Sequence, residues 1–139
     1  MSGTKFDEGK APLWLVPWEA LAWRAQGDRI LMARALVAWI RREPDAETLL
    51  KSSLSVERIH GAARVLAFGA EKYGAYNWEK GLAFSRVASA GLRHALDPDE
   101  LDAESGMPHT WHLACNVIFA ITLEERFGES DFDDRPEAP

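Results

Sequence analysis

The stretch SVERIHGAARVLAFGAEKY, residues 55–73, decides the fold class. Ser55 is a suitable N-cap, no proline follows, and Val56, Ile59, Ala63, Leu66, Ala70 and Tyr73 step by three and four residues along one face. That spacing is helical, and the same period continues on both sides. Downstream, Gly74 to Gly81 reads as a loop. A helix capped by Ser85 then runs through Val87, Leu92 and Leu96 until Asp97-Pro98 stops it. Pro108 suits the first position of a last helix reaching about Phe127.

Upstream, residues 1–16 read as an extended arm with Trp14 docked, and a helix opens near Pro17. Helix formers dominate from Trp18 to Arg42, with a possible break at Gly27-Asp28, and Glu43-Pro44-Asp45 ends the segment. Strand-like alternation is brief and confined to the arm, and no internal repeat is visible. The expected fold is all-α: four or five helices in a bundle over residues 1–127, preceded by the arm. The tail GESDFDDRPEAP, residues 128–139, is acidic and is expected to be disordered.

A chain of 139 residues fits one domain with a real core, and 47% hydrophobic residues with six Trp support a folded globule. No apolar run approaches the roughly 20 residues of a bilayer span, and MSGTKFDEGK has no apolar signal region. The lone Cys115 cannot form an internal disulfide; it reads as a small buried hydrophobe, and the expected compartment is cytoplasmic. A net charge of −6 argues against a nucleic-acid polymer, which is held by neutralising many phosphates with Lys and Arg. A single triphosphate needs only a few cations, and an excess of carboxylates suits a hard divalent ion that bridges phosphates.

The chemistry concentrates in DPDELDAESGMPHTWHLACN, residues 97–116. From Ser105 to Leu123 there is no Lys, Arg, Asp or Glu, so His109, His112 and Asn116 are the main polar breaks in an otherwise apolar helix. At about 100° per residue they share a sector of roughly 60°. Asp99, Asp102 and Glu104 stand just before them. Acids in that place also favour a helix N-terminus without any ligand, but a solvated helix face would carry Lys and Glu rather than imidazoles alone. Carboxylates with one or two imidazoles suit Mg²⁺ or Mn²⁺, whereas structural Zn²⁺ would want more thiolates than Cys115 supplies.

Arg93-His94 ends the preceding helix. Basic groups there complement the macrodipole; alternatively Arg93 clamps phosphate and His94 is a ligand or orients one. His94 is followed by Ala95, so a His-Asp doublet of the HD phosphohydrolase kind is absent. FGAEKYGAYNWEKG, residues 68–81, joins Lys72 and Lys80 to Tyr73, Asn77 and Trp78, a composition that suits a nucleotide pocket or, equally, a turn whose aromatics pack on the core. KFDEGKAPLWLVPWEAL, residues 5–21, has Lys10 after Gly9 but no Walker spacing. His60 reads as an ordinary core or surface histidine.

Taken in order, these three segments resemble a phage-encoded family of small all-α proteins, the dATP/dGTP diphosphohydrolases, related to MazG-like nucleoside triphosphate pyrophosphohydrolases. The pattern K-[YF]-D-x-G-K followed by L-x-L-L-P-x-E-A-L is met by Lys5-Phe6-Asp7, Gly9-Lys10, Leu13, Leu15-Val16-Pro17 and Glu19-Ala20-Leu21. F-G-A-x-K-Y-G-x-x-N-W-x-K-G is met by Phe68 to Gly81. R-H and [ED]-x-x-D-x-E-S-G-x-x-H-x-x-H-x-x-x-N are met by Arg93-His94 and by Asp99, Asp102, Glu104, Ser105, Gly106, His109, His112 and Asn116. Residues 22–55 and the tail lie outside the resemblance.

The resemblance implies a MazG-like bundle that cleaves a purine deoxynucleoside triphosphate between its α- and β-phosphates with Mg²⁺ or Mn²⁺. It further implies dGTP as substrate, in phages that replace adenine by 2-aminoadenine, and a homodimer or homotetramer with sites between protomers. The wider superfamily resembles an ExxE then ExxD scheme. This chain has no ExxE, and Asp99-x-x-Asp102 is the nearest match to the second half. On this reading Glu104, Asp99, Asp102, His94, His109 and His112 are the candidate metal ligands, with Glu71 contributing from a facing helix. Lys72, Lys80, Arg93 and Lys10 bind phosphate oxygens. Trp14, Tyr73, Asn77 and Trp78 receive base and sugar, and Asn116 touches substrate or orients a ligand. The alternative from another class is a helical phage protein that binds a nucleotide or partner without turnover.

Overall fold

A computed structural model describes residues 10–138 apart from 26. Lys5, Phe6, Asp7 and Gly9 of the arm therefore lie outside the described residues. The described chain holds six α-helices: α1 (Trp18–Arg24), α2 (Ile30–Ile40), α3 (Ala46–Ser52), α4 (Val56–Tyr73), α5 (Phe84–Leu96) and α6 (His109–Phe127). Single 3-10 turns stand at Leu13–Leu15, Gly27–Arg29 and Asn77–Lys80. The class is all-α as expected. The count exceeds four or five because the break at Gly27-Asp28 separates α1 from α2 and because the seven-residue α3 follows Pro44-Asp45.

The second helix is the axis of the bundle. Met32, Ala33 and the run Ala35 to Ile40 are buried, so beyond its first turn α2 is enclosed on most sides, with Arg34 the one charged break. It packs against α3, α5 and α6. At its C-terminal end Trp39 meets Phe84 with ring centroids 5.0 Å apart and donates from Nε1 to Glu124 Oε1 at 2.9 Å. At its N-terminal end lies the buried Arg29, bonded to the end of α5. The two helices therefore run antiparallel, with Phe84 and His94 at opposite ends.

The expected face of α4 is not the one that packs. Gly61 and Ala62 are its buried residues. A Cβ on Gly61 would come 2.4 Å from Trp111 Cδ1, so glycine is what lets α4 and α6 approach. Cys115 Sγ donates to Ala62 O beside that contact. Most of the apolar stripe lies outside it: Val56 is 71% exposed, Ile59 47% and Tyr73 68%, with Ala63 exposed and Ala70 half-buried, while Leu66 packs partly on the core. Hydrophobic period gives the helix correctly here, while small residues choose the packed face.

Two local expectations are corrected. Ser85 does not cap α5, which starts after Ala83; its N–H and hydroxyl donate to Asp134 at 2.8 and 2.5 Å. The tail, expected to be disordered, is held against the bundle. Phe132 packs on Phe127 and over Gly81, and Phe84 N–H donates to Phe132 O. Arg135 is buried between Trp39, Phe84, Asp133 and Glu124. Acidic composition concealed this because the one buried cation of the tail recruits those carboxylates. No helix among the described residues is long and apolar enough to cross a membrane.

Candidate metal and triphosphate site

The end of α5 and the start of α6 meet through residues 97–108. This connection is a small ribbon: Asp102 N–H donates to Met107 O at 2.8 Å, His109 N–H to Glu100 O at 2.9 Å, and Leu101 bridges Pro108. Its tip turns at Gly106, whose φ of +74° is the left-handed region that glycine enters without strain. The ribbon fixes Asp102 above the helix ends. One carboxylate oxygen of Asp102, Oδ2, accepts from Ser105 N–H at 2.9 Å.

Three histidines converge beneath it. His94 Nδ1 and His109 Nδ1 are 2.7 Å apart, and the His94 ring stacks on His112 with centroids 4.5 Å apart and planes 11° apart. His109 Nε2 faces Asp97 Oδ1 at 3.4 Å. Ser105 Oγ accepts from Met107 N–H at 3.1 Å and lies 2.7 Å from His112 Nε2. Ser105, His112 and Asp102 do not form a nucleophilic relay. Asp102 Oδ2 lies 3.7 Å from that same Nε2 rather than beside Nδ1.

Burial above all, then the neighbouring His112 and His109 imidazoles and the Arg93 guanidinium, pushes the His94 pKa down to about 3. His112 is lowered for the same first reason. Burial opposes ionisation of Asp102, but the Ser105 hydrogen bonds and neighbouring imidazoles outweigh it and hold the carboxyl below its usual value. The cluster at neutral pH is thus a neutral His94 beside an ionised Asp102, the protonation states in which both donate lone pairs to a cation.

Among the described residues, His94, Asp102 and His109 form a group whose ligand atoms all lie within 4.8 Å of one another. A divalent cation fits this donor set. The proton shared by the two Nδ1 atoms is the one a cation would replace, and two imidazoles with one carboxylate suit a first-row ion such as Mn²⁺ better than the oxygen-preferring Mg²⁺. His112, with Nε2 engaged by Ser105, stands beside the group rather than in it. Glu104 and Asp99 stand outside it as well. Glu104 is exposed and paired with Lys72, while Asp99 donates its N–H to Asp97 Oδ1 and offers its carbonyl to Arg29. Glu71 is exposed on α4 and belongs to no ligand group among the described residues.

The expected substrate residues are dispersed. Lys72 reaches the ribbon through Glu104, and Arg93 is half-buried next to His94. Tyr73, Asn77 and Lys80 are exposed. Trp78 is not fully open, since its ring packs tilted against Phe119 with centroids 4.6 Å apart, and Glu79 next to it holds Arg126. Phe119 lies about 15 Å along α6 from His109 at 1.5 Å per residue. Trp14 is at the other end of the bundle, lining a cavity of about 600 Å³ with Ile40, Arg41 and Pro136. Lys10 is exposed. Asn116 is buried and donates to His112 O at 3.0 Å, its Cβ against Gly91.

Sequence reasoning passed over three residues that build the site: Arg29, Asp97 and Ser105. Ser105 stood in the quoted motif and Asp97 was read only as a helix stop. Arg29 carried one signal, an arginine directly after a helix break and before a largely apolar helix.

An all-α fold with a half-buried two-histidine, one-carboxylate group defines the class as a helical protein with a candidate metal centre. Over residues 41–135 the chain matches the family described as dATP/dGTP diphosphohydrolase, N-terminal, and it belongs to that family. It is 30% identical over 134 residues to a dATP/dGTP diphosphohydrolase of Salmonella phage PMBT28, a match covering 94% of this chain and 33% of the relative. The chain thus spans about a third of the length of the curated relative it matches. No solved structure matches it.

Proposed function

We propose that this chain is a metal-dependent pyrophosphohydrolase that converts a purine deoxynucleoside triphosphate, foremost dGTP, to the monophosphate and pyrophosphate. The observation that carries the reading is the His94–Asp102–His109 group in a member of the diphosphohydrolase family. His94, Asp102 and His109 hold the cation, with Mn²⁺ preferred to Mg²⁺ on the imidazole count. When bound, the ion supplies a Lewis acid that activates water and offsets charge on the departing pyrophosphate. Asp97 faces the His109 ring at Nε2, and Ser105 holds the His112 ring through Nε2. Lys72 leaves Glu104 to take a phosphate oxygen, and Arg93 takes another. Positioning and charge neutralisation suffice for phosphoryl chemistry, so no covalent nucleophile is assigned.

The physiological role that follows is supply of dGMP from dGTP in the cytoplasm of a host infected by a phage that uses 2-aminoadenine. The protein acts as a homodimer or homotetramer, and the uncovered apolar stripe of α4 is the surface that pairs. Lys80, Asn77 and Tyr73, exposed beyond that stripe, serve the base and phosphates of a substrate bound near the pairing surface. The test is incubation with each dNTP and Mn²⁺ or Mg²⁺ followed by product chromatography. Monophosphate and pyrophosphate from dGTP support the proposal, and unchanged triphosphate throughout leaves the non-catalytic reading standing.

A further inference from the structure

Arg29 is a charged side chain buried at 4% exposure, and its guanidinium makes three hydrogen bonds to carbonyls at the corner where α5 becomes the ribbon. Nη1 donates to His94 O at 2.9 Å and to Asp97 O at 2.6 Å, and Nη2 donates to Asp99 O at 2.7 Å. These three acceptors come from residues about 65 to 70 positions later in sequence and follow one another within a single turn of chain. The first belongs to the residue whose imidazole meets His109. The second belongs to the residue whose carboxylate faces the other nitrogen of His109.

The last carbonyls of a helix have no partners within it, and the negative end of the macrodipole gathers there. A planar fork can bind several of them at fixed angles where a lysine ammonium cannot. We infer that Arg29 is the positioning residue of the metal centre: it sets the end of α5 so that His94 Nδ1 and His109 Nδ1 converge, and it orients Asp97 behind His109. This inference rests on the metal-dependent reading above. It also gives the segment 22–55, which lay outside every motif, a place in the site. Arg58 reinforces the arrangement by donating to Asp28 O at 2.9 Å, which ties the turn bearing Arg29 to α4.

The experiment titrates Mn²⁺ alone into the full chain, reading free Mn²⁺ by electron paramagnetic resonance, and records the visible spectrum of the Co²⁺ form. Arg29→Lys keeps the charge and Arg29→Gln removes it. Leu50→Ala, a cavity in α3 away from the histidines, controls for lost stability. The expected result is a loss of Mn²⁺ affinity of about 10- to 100-fold in Arg29→Lys, the range for groups that orient metal ligands, with an altered Co²⁺ spectrum and unchanged helical circular dichroism. Leu50→Ala melts earlier yet binds Mn²⁺ as the wild type does.

Wild-type Mn²⁺ affinity and Co²⁺ spectrum in a folded Arg29→Lys overturn the inference while the function stands. Unfolding of both Arg29 variants overturns it in favour of a purely structural role. A wild-type protein that takes up neither ion overturns the metal-dependent reading itself.

Discussion

His94 Nδ1 and His109 Nδ1 lie 2.7 Å apart, one at the end of α5 and the other at the first position of α6. Two helices that met only to bury carbon would not bring two imidazole nitrogens together. The contact is stable as a hydrogen bond only while one ring donates and the other accepts, and a second proton between them is repelled. That restriction makes the pair a place for one positive centre, a proton or a cation. With Asp102 in the same group, removal of any one member is expected to cost more than removal of its neighbours. His109→Ala, His94→Ala and Asp102→Asn should each weaken Mn²⁺ binding by more than about 100-fold, beyond what orienting groups show. Glu104→Gln and Asp99→Asn should stay within about 10-fold. Mn²⁺ titration of the five variants checks the order, and equal losses at Glu104 would redraw the ligand set.

Stability should depend on pH through His94. Its pKa is pushed down to about 3 in the folded chain and returns to about 6.5 on unfolding, so between those values the unfolded state binds the extra proton. The stabilisation is therefore complete above about pH 6.5 and is lost progressively as the pH falls toward 3. The lowered pKa of Asp102 acts with the same sign in a more acid window, below the ordinary carboxylate value. Urea unfolding at pH 7, 5.5 and 4 in a chelating buffer should show falling midpoints, with a shallower fall in His94→Gln. A flat profile would mean that His94 is protonated as easily in the fold as outside it.

The tail should be part of the folding unit. Arg135 has 5% side-chain exposure and Asp133 none, with Nη2 and Oδ2 2.8 Å apart. Removing one partner of a buried ion pair leaves the other charge uncompensated, at a cost of about 3–5 kcal/mol. Arg135→Ala is expected to lose that much in chemical denaturation, although it touches neither histidine nor Asp102. A change below about 1 kcal/mol would show that the tail only lies on the surface.

Val56→Glu with Ile59→Glu places two charges on the uncovered stripe of α4. Neither side chain is buried in the chain itself, so the helical circular dichroism of the single chain should be unchanged. Light scattering behind size exclusion should show the oligomer dissociating to a single chain mass. An unchanged mass would place the pairing surface elsewhere.

The sequence made some of this legible and hid the rest for identifiable reasons. Ser55 caps α4 as its position demanded, accepting from Arg58 N–H at 3.2 Å, and Pro108 opens α6. Both are local effects, fixed by a few consecutive residues. The packed face of α4 was hidden because Gly61 and Ala62 contribute little hydrophobicity and act through what they allow Trp111 to do. His94, His109 and Asp102 could be named as candidates from residue type. That His94 meets His109 while Glu104 turns to Lys72 depends on where the ribbon folds back. Arg29 was invisible for a stronger reason. Its partners are backbone carbonyls, which leave no trace in residue identity. The positions of Trp78 against Phe119 and of Trp14 at the far end of the bundle were hidden because an aromatic in a nucleotide-like motif and an aromatic closing a core look the same in one dimension.

The central claim is cleavage at the α-phosphate by a cation held on His94, Asp102 and His109. It is tested most directly by hydrolysis of dGTP with Mn²⁺ in ¹⁸O-labelled water, read by mass spectrometry of the products. The account predicts dGMP carrying one ¹⁸O and unlabelled pyrophosphate, with the reaction abolished in His109→Ala. Orthophosphate with dGDP, label in the pyrophosphate, or undiminished turnover in His109→Ala would contradict it.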